Sequence, residues 1–158
     1  YSNSVEVITN SPEQTQDLGL CLGQTARVGD VLLLTGELGT GKTCLTQGIL
    51  WGLGSSEYAR SPTFVLATQY EGRLTLHHID LYRLDTLQEI DDLGLDEYLL
   101  GEGMCVVEWG EKGEVIFPET HIKISLESLD ENKRRITASA DIKEYEPALA
   151  CFENFSRQ

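Results

Sequence analysis

The sequence predicts a single α/β domain, in which helices pack against a β-sheet. Residues 31–34 and 104–107 are continuously apolar, which is typical of strands covered on both faces in a parallel sheet. A helix-start pattern lies between a short N-terminal strand pattern and the first of these runs, so the chain begins as β-α-β. The 158 residues can bury a core without disulfides or a structural metal.

The composition is that of an acidic globular protein. Twelve Lys and Arg residues against 26 Asp and Glu residues give a net charge of −14 at pH 7. This charge repels the phosphate backbone of a nucleic acid, because phosphate binding needs a positive potential. The composition therefore disfavours a protein that holds nucleic acid over a broad surface of its own, and any anion must be bound locally.

The cysteine spacing favours reduced thiols. The four residues are far apart and form no Cys-x-x-Cys pair: Cys21, Cys44, Cys105 and Cys151. This pattern indicates a cytoplasmic protein rather than a disulfide framework or a zinc site. The first residues show no basic segment followed by an apolar one, so we expect no secretory signal. No apolar run is long enough to span a membrane.

Local patterns define the elements of the first third of the chain. Residues 5–9 are predicted as a strand, and Ser11 with Pro12 and Gln14 forms a helix-start signal. A second helix follows the apolar strand and ends at a pair of glycines. The apolar positions recur every four residues in both helices: Leu18, Leu22 and Ala26 in the first, Leu45, Ile49 and Leu53 in the second.

The remaining elements are mainly strand pairs. The predicted strands are 64–70 and 74–80, joined by a short turn, and 121–127 and 134–140, joined by a polar turn at 130–132. An acidic helical pattern covers residues 86–100. The pattern weakens beyond residue 141, where Pro147 is predicted to start a terminal helix with Leu149, Phe152 and Phe155 on one side.

The strongest motif is Gly-x-x-x-x-Gly-Lys-Thr at residues 36–43, between a predicted strand and a predicted helix. Glycines let backbone N–H groups approach a phosphate, and the N-terminus of the next helix attracts anions. Lys42 offers a charge to the β- and γ-phosphates, and the Thr43 hydroxyl is a ligand for Mg²⁺. A glycine-rich turn that only reverses the chain explains the glycines but not the Lys-Thr pair. We expect Lys42 to face solvent and to contribute little to stability.

Hydrolysis of a bound nucleotide also needs a carboxylate opposite Thr43, at the carboxyl end of a neighbouring strand. Glu108 directly follows the buried run 104–107, and Asp80 ends the predicted strand 74–80. Each alone is equally well explained as an ordinary strand-end or turn residue. With a phosphate loop present, one is expected to hold Mg²⁺ and the other to orient the attacking water, and the sequence does not assign which.

Four motifs in this order resemble the TsaE (YjeE) family. They are the phosphate loop, Ser61-Pro62-Thr63-Phe64, His78-Ile79-Asp80-Leu81-Tyr82-Arg83 and Val107-Glu108-Trp109. The likeness spans about residues 5 to 140. That family is the P-loop ATPase of bacterial tRNA threonylcarbamoyladenosine synthesis. The resemblance implies a three-layer P-loop fold with a mixed parallel and antiparallel sheet.

The resemblance also implies an activity and partners. The family hydrolyses ATP together with TsaB and TsaD, in a complex that modifies the adenosine 3′ of the anticodon in tRNAs that read codons beginning with A. Carried over to this chain, the catalytic residues would be Lys42, Asp80 and Glu108, and the Mg²⁺ ligands would come from Thr43, Asp80 and Glu108. The loop contacts to ATP would be Leu38, Gly39, Thr40, Gly41, Lys42, Thr43 and Cys44.

Three further residues are implied to contact the nucleotide. Thr15 would lie near the base, Thr63 in a loop that senses the γ-phosphate, and Trp109 beside the carboxylates. From the residues alone, Ser-Pro-Thr is most often a turn, and a tryptophan after a strand is most often part of the core. A hydroxyl on a stiff loop next to the γ-phosphate would nevertheless act as a switch.

Other functions remain open on the sequence alone. A GTPase is disfavoured, because residues 132–135 resemble an Asn-Lys-x-Asp base reader but lack the Asp. A small-molecule or nucleoside kinase would need an arginine-rich lid, and none is visible among the 12 basic residues. A binding module that ATP switches without appreciable hydrolysis is the third class. Acidic clusters at 89–92 and 96–97 favour docking on a basic partner surface, in competition with tRNA. The same carboxylates are also explained as a solvated helix face that keeps the protein soluble.

Overall fold

The computed structural model describes residues 2–36, 40–59, 67–81, 103–108, 121–141, 143 and 145–156. Ten elements lie within these ranges. The strands are β1 (Ser2–Thr9), β2 (Val31–Thr35), β3 (Ala67–Tyr70), β4 (Leu76–Asp80), β5 (Met104–Glu108), β6 (Ile122–Ser128) and β7 (Arg134–Asp141). The helices are α1 (Pro12–Thr25), α2 (Lys42–Gly52) and α3 (Glu146–Ser156).

The strands form one seven-stranded mixed sheet in the order β1-β7-β6-β2-β5-β4-β3. Its centre is parallel, because β2 pairs in parallel with β5 and β6, and β4 pairs in parallel with β5. Antiparallel pairs β3–β4, β6–β7 and β1–β7 complete both sides. The predicted α/β class and mixed sheet are therefore confirmed. The opening β-α-β is also present in chain order, although β1 lies at an edge beside β7.

Most local predictions are confirmed. The Ser11 hydroxyl caps α1 by accepting the N–H of Gln14 at 3.2 Å. Gly54 follows α2 with φ +79°, a backbone conformation that favours glycine. The terminal helix is also present, with Phe152 fully buried and its N-terminus one residue before Pro147. The predicted helix at 86–100 and the start of the 64–70 strand lie outside the described residues.

Helices α1 and α2 touch through their backbones, because each carries two glycines four residues apart. A Cβ at Gly19 would lie 2.3 Å from the Leu45 carbonyl oxygen, and one at Gly48 would lie 2.1 Å from the Gln16 carbonyl oxygen. Any side chain there would force the helices apart. The close contact places the first turn of α1 beside the first turn of α2. This contact therefore sets the position of the residues that precede α2.

A disulfide between Cys21 and Cys151 corrects the prediction of four reduced thiols. Helix α3 packs against α1, so two residues 130 positions apart have Cα atoms 5.8 Å apart. No local pattern reports such a contact, which is why the spacing of the cysteines did not indicate it. Cys44 and Cys105 are outside any disulfide. No helix within the described ranges is both long and apolar enough to cross a bilayer.

Candidate functional site

The phosphate-loop motif joins the central strand to a helix, as predicted. Strand β2 ends at Thr35, and α2 begins at Lys42. Gly41 has φ +98°, and a Cβ at Gly36 would lie 2.6 Å from the Leu126 carbonyl oxygen. Glycine is therefore required at the first position for space and at the later one for conformation. Leu38 and Gly39 lie outside the described residues.

Lys42 is buried, which corrects the expectation that it faces solvent. Its side chain turns back over the loop, and Nζ donates a hydrogen bond to the Gly36 carbonyl at 2.7 Å. Only 6% of Lys42 is exposed. The ammonium is therefore held at the first residue of the loop. A lysine held this close to backbone carbonyls is positioned to exchange one oxygen ligand for another.

The N-terminus of α2 is electrostatically suited to an anion. No side chain caps it, and its first turn contains no acidic residue. The first helical hydrogen bond runs from the Leu45 N–H to the Gly41 carbonyl at 3.0 Å. Lys42, Thr43 and Cys44 thus occupy the turn where the helix dipole is positive. The structure brings together the residues that the motif predicts for phosphate and metal binding.

The two strand-end carboxylates lie at the same edge of the sheet as the loop. Asp80 pairs directly with Glu108 between β4 and β5, and Glu108 pairs with Leu34 between β5 and β2. Paired residues in a parallel ladder lie side by side, on strands about 4.8 Å apart. Glu108 is therefore one strand away from the strand that leads into the phosphate loop, and Asp80 is two strands away. The sequence predicted that both carboxylates lie at this edge, and the strand register shows that Asp80 and Glu108 are neighbours.

Glu108 has an unusual environment for a carboxylate. It is 2% exposed, and its Oε1 atom has no hydrogen-bond partner among the described residues. His78 Nε2, on a fully buried side chain, lies 3.5 Å from this atom. A buried carboxylate oxygen without a hydrogen bond is costly unless a cation or donor joins it. No role for His78 was predicted from the sequence.

These donors fit Mg²⁺. The described residues contain no cluster of three or more His, Cys, Asp or Glu side chains that would hold a metal alone. Mg²⁺ is commonly held by one or two carboxylates together with phosphate oxygens and water, and not by a complete protein cage. The unsatisfied oxygen of Glu108, Asp80 beside it and the Thr43 hydroxyl are donors of the right chemistry.

A small cavity of about 30 Å³ adjoins the loop. Its walls combine the start of α1, the start of α2 and the β6–β7 turn: Pro12, Thr15, Gly41, Cys44, Asn132 and Arg134. Thr15 is 2% exposed, and its hydroxyl is hydrogen-bonded to the Thr9 hydroxyl at 2.8 Å. The contribution of the β6–β7 turn to this cavity was not predicted from the sequence. Residues 132–135 were considered only as an incomplete guanine reader, yet two of them line this cavity.

A larger groove of about 510 Å³ lies between β1, α1 and α3, but it carries none of the predicted site residues. Glu6 and Asp17 line it and would repel phosphate. We therefore place the candidate site at the phosphate loop. Thr63 and Trp109, which the resemblance assigned to the nucleotide site, lie outside the described residues.

Comparison with known proteins identifies the family of this chain. The family model of the threonylcarbamoyl adenosine biosynthesis protein TsaE matches residues 9–136. The tRNA threonylcarbamoyladenosine biosynthesis protein TsaE of Treponema pallidum is 42% identical over 132 residues, covering 84% of this chain and 98% of the relative. The protein of the same name from Bacillus subtilis is 40% identical, covering 87% of each chain.

A solved structure is similar over nearly the whole length. The crystal structure of Bacillus subtilis YdiB matches with a TM-score of 0.81 and 34% identity, covering 99% of this chain and 97% of that one. The sequence match, the mixed sheet and the phosphate loop point to one assignment. This chain belongs to the TsaE family of proteins of tRNA threonylcarbamoyladenosine biosynthesis.

Proposed function

We propose that this chain is a Mg²⁺-dependent ATPase that acts with TsaB-like and TsaD-like proteins in forming threonylcarbamoyladenosine on tRNAs that read codons beginning with A. The proposal depends on what lies at the carboxyl ends of the parallel strands β2, β5 and β4. There the loop that ends in Lys42 and Thr43 follows β2, Glu108 ends the neighbouring strand β5, and Asp80 ends β4, the strand after that. Family membership supplies the pathway, and this edge supports the ATPase chemistry.

Each group has a role in the proposed reaction. The loop backbone and the N-terminus of α2 bind the phosphates, and Lys42 transfers its hydrogen bond from the Gly36 carbonyl to a phosphate oxygen. Thr43 and one of the two carboxylates would hold Mg²⁺, and the bound ion would supply positive charge to the phosphate oxygens. The other carboxylate orients the water that attacks the γ-phosphate.

The base-side wall supports ATP over GTP. A guanine reader needs an Asp carboxylate to accept the N1 and N2 hydrogens, and residues 132–135 contain none. The described cavity presents only the Asn132 and Arg134 side chains from this turn. Thr15 also lines this cavity, and the proposal places the adenine or ribose close to it. The acidic Asp130 and Glu131 precede this segment in the same turn and are solvent-exposed.

The net charge of the chain bears on how it would meet tRNA and its partner proteins. A net charge of −14 repels tRNA at long range, so we propose that basic surfaces of the partner proteins bind both this chain and the tRNA. If the two acidic ligands share one surface, the nucleotide state of this chain sets which of them is bound. The acidic segments 89–92 and 96–97, on which the predicted docking to a basic partner surface rests, lie outside the described residues.

Reconstitution by omission tests the proposed function. The purified chain, ATP, Mg²⁺, the candidate partner proteins and unmodified tRNA are combined, and the modified nucleoside and released phosphate are measured with each component left out. We expect modification to require every component and ATP turnover to rise when the partners are present. Phosphate transfer to a small acceptor would favour a kinase. Modification without turnover would favour an ATP-switched binding module.

Alkylation of Cys44 provides a separate test of where ATP binds. Cys44 is partly exposed and lines the cavity, whereas burial raises the pKa of Cys105 to about 12 and keeps it as an unreactive thiol. We expect N-ethylmaleimide at pH 7.5 to label Cys44, and saturating Mg-ATP to slow this labelling several-fold. Peptide mass spectrometry measures both sites, with Cys105 as the internal control. An unchanged rate at Cys44 would place the nucleotide elsewhere.

A further inference from the structure

Arg134 connects the phosphate loop to the β6–β7 turn. Its Nε donates a hydrogen bond to the Thr40 carbonyl at 3.0 Å, across 94 positions of sequence. Its Nη1 donates to the Asp130 carbonyl at 2.7 Å and to the Lys133 carbonyl at 3.0 Å. Its Nη2 donates to the Glu131 carbonyl at 3.2 Å. One guanidinium therefore joins four main-chain carbonyls, three from the turn and one from the loop.

The turn that holds this guanidinium is itself ordered by hydrogen bonds. The Asp130 carboxylate accepts the N–H groups of Asn132 at 3.0 Å and Lys133 at 3.1 Å. These two backbone hydrogen bonds lower the pKa of Asp130 below its usual value. The Leu129 N–H closes the turn on the Lys133 carbonyl at 2.9 Å. The turn is thus held by hydrogen bonds that do not involve the guanidinium.

Holding the Thr40 carbonyl also fixes the next N–H. A trans peptide is planar, so the C=O of Thr40 and the N–H of Gly41 point in opposite directions. Gly41 has φ +98°, and its own carbonyl accepts the first hydrogen bond of α2. With the Thr40 carbonyl directed at Arg134, the Gly41 N–H is directed to the other side of the peptide. Glycine is otherwise the residue least able to keep one orientation.

We infer that Arg134 is a positioning residue for the phosphate loop, which orients the Thr40–Gly41 peptide so that the Gly41 N–H is available to a nucleotide phosphate. The inference rests on the proposed function, because it assumes that the loop binds ATP. Arg134 acts through the loop backbone and not by touching the reacting phosphate. The guanidinium is suited to this role because its planar fork directs five N–H donors toward carbonyls of both the turn and the loop. The three donors of an ammonium all lie on one nitrogen and do not cover this span.

Arg135 offers a matched control. It is the next residue on β7, so its side chain leaves the opposite face of the strand. It forms ion pairs with Glu6 at 2.7 Å and Glu127 at 3.1 Å, and all three side chains are at least 40% exposed. Exposed pairs of this kind contribute little to stability. Arg135→Met removes the same charge as Arg134→Met without touching the loop or the turn.

The affinity of each variant for Mg-ATP is measured by calorimetry. We expect Arg134→Met to weaken binding by about tenfold or more, the size expected for losing a hydrogen bond from a charged donor. Arg135→Met is expected to bind within about twofold of the unmodified protein. Arg134→Lys keeps the charge but not the fork and should recover only part of the loss. Asp130→Ala, which loosens the turn from an exposed position, should weaken binding in the same direction.

A spectroscopic readout separates positioning from a general structural role. The pair Thr-Gly occurs only at 35–36 and 40–41, so ¹³C-threonine with ¹⁵N-glycine isolates the amides of Gly36 and Gly41. We expect Mg-ATP to shift the Gly41 amide proton downfield in the unmodified protein and in Arg135→Met, as a hydrogen bond to phosphate does. The shift should be reduced or absent in Arg134→Met at saturating nucleotide.

The outcomes distinguish this inference from the proposed function. If the unmodified protein binds no Mg-ATP, the proposed function fails and the inference fails with it. If the unmodified protein binds and Arg134→Met retains both the affinity and the Gly41 shift, only the inference is overturned. Full recovery by Arg134→Lys would also overturn it, because charge alone would then account for the effect.

Discussion

Replacing Lys42 with alanine is expected to remove productive ATP binding while the domain stays folded. The ammonium is the one charge that the loop itself can offer to the β- and γ-phosphates, and the chain around it carries a net charge of −14. Removing one partner of a close, poorly solvated charge pair costs several kcal/mol, so we expect the affinity for Mg-ATP to fall at least about a hundredfold. Calorimetry with Mg-ATP measures this directly.

The stability of this variant is a separate quantity. Lys42 is buried and its Nζ is bonded to the Gly36 carbonyl, so alanine removes a hydrogen bond, but it also removes the cost of burying an ammonium. These effects oppose each other, and we expect the free energy of unfolding to change by less than about 2 kcal/mol. Lys123→Ala, an exposed charge on β6, is the control for net charge. Wild-type Mg-ATP affinity in Lys42→Ala would contradict the phosphate-loop assignment.

Features that depend on neighbouring residues could be predicted from the sequence. The start of α1 follows from Ser11, Pro12 and Gln14, and the strand, loop and helix around residues 36–43 follow from one motif in its context. The strand-end positions of Asp80 and Glu108 follow from apolar runs of known direction. In each case the information lies within a window of about ten residues.

Features that depend on distant residues could not be predicted in this way. The Cys21–Cys151 disulfide needs the packing of α3 on α1, and the bond from Arg134 to Thr40 needs the turn to fold over the loop. The buried position of Lys42 depends on the loop conformation. The close approach of α1 and α2 was not predicted either, because Gly52 was interpreted only as part of a helix-stop signal. The two glycine pairs acquire their meaning once the helices are packed together.

Asp80→Asn and Glu108→Gln are expected to reduce ATP hydrolysis far more than ATP binding. Both changes keep the size of the side chain and remove only its charge, which matters for Glu108 because it is 2% exposed. Loss of a group that orients water or holds the metal commonly costs about 10²-fold or more in rate. The loop backbone and Lys42 still bind the phosphates, so we expect the affinity for ATP without Mg²⁺ to stay the same or to increase as repulsion is relieved. Turnover and binding are therefore measured separately, with the partner proteins present for turnover.

The same pair of variants assigns the two carboxylate roles that the sequence left open. If a carboxylate binds Mg²⁺, its amide variant needs more Mg²⁺ for half-maximal turnover, and added Mg²⁺ restores part of the rate. If a carboxylate orients water, its variant keeps the normal Mg²⁺ requirement, and no concentration restores the rate. We expect one variant of each kind, since Asp80 and Glu108 are paired in register and a single metal leaves one of them for the water.

Full activity in either variant would reduce that residue to an ordinary strand-end carboxylate. Full activity in both variants would contradict the proposed roles of Asp80 and Glu108 in hydrolysis, while the proposed binding of ATP at the phosphate loop would stand.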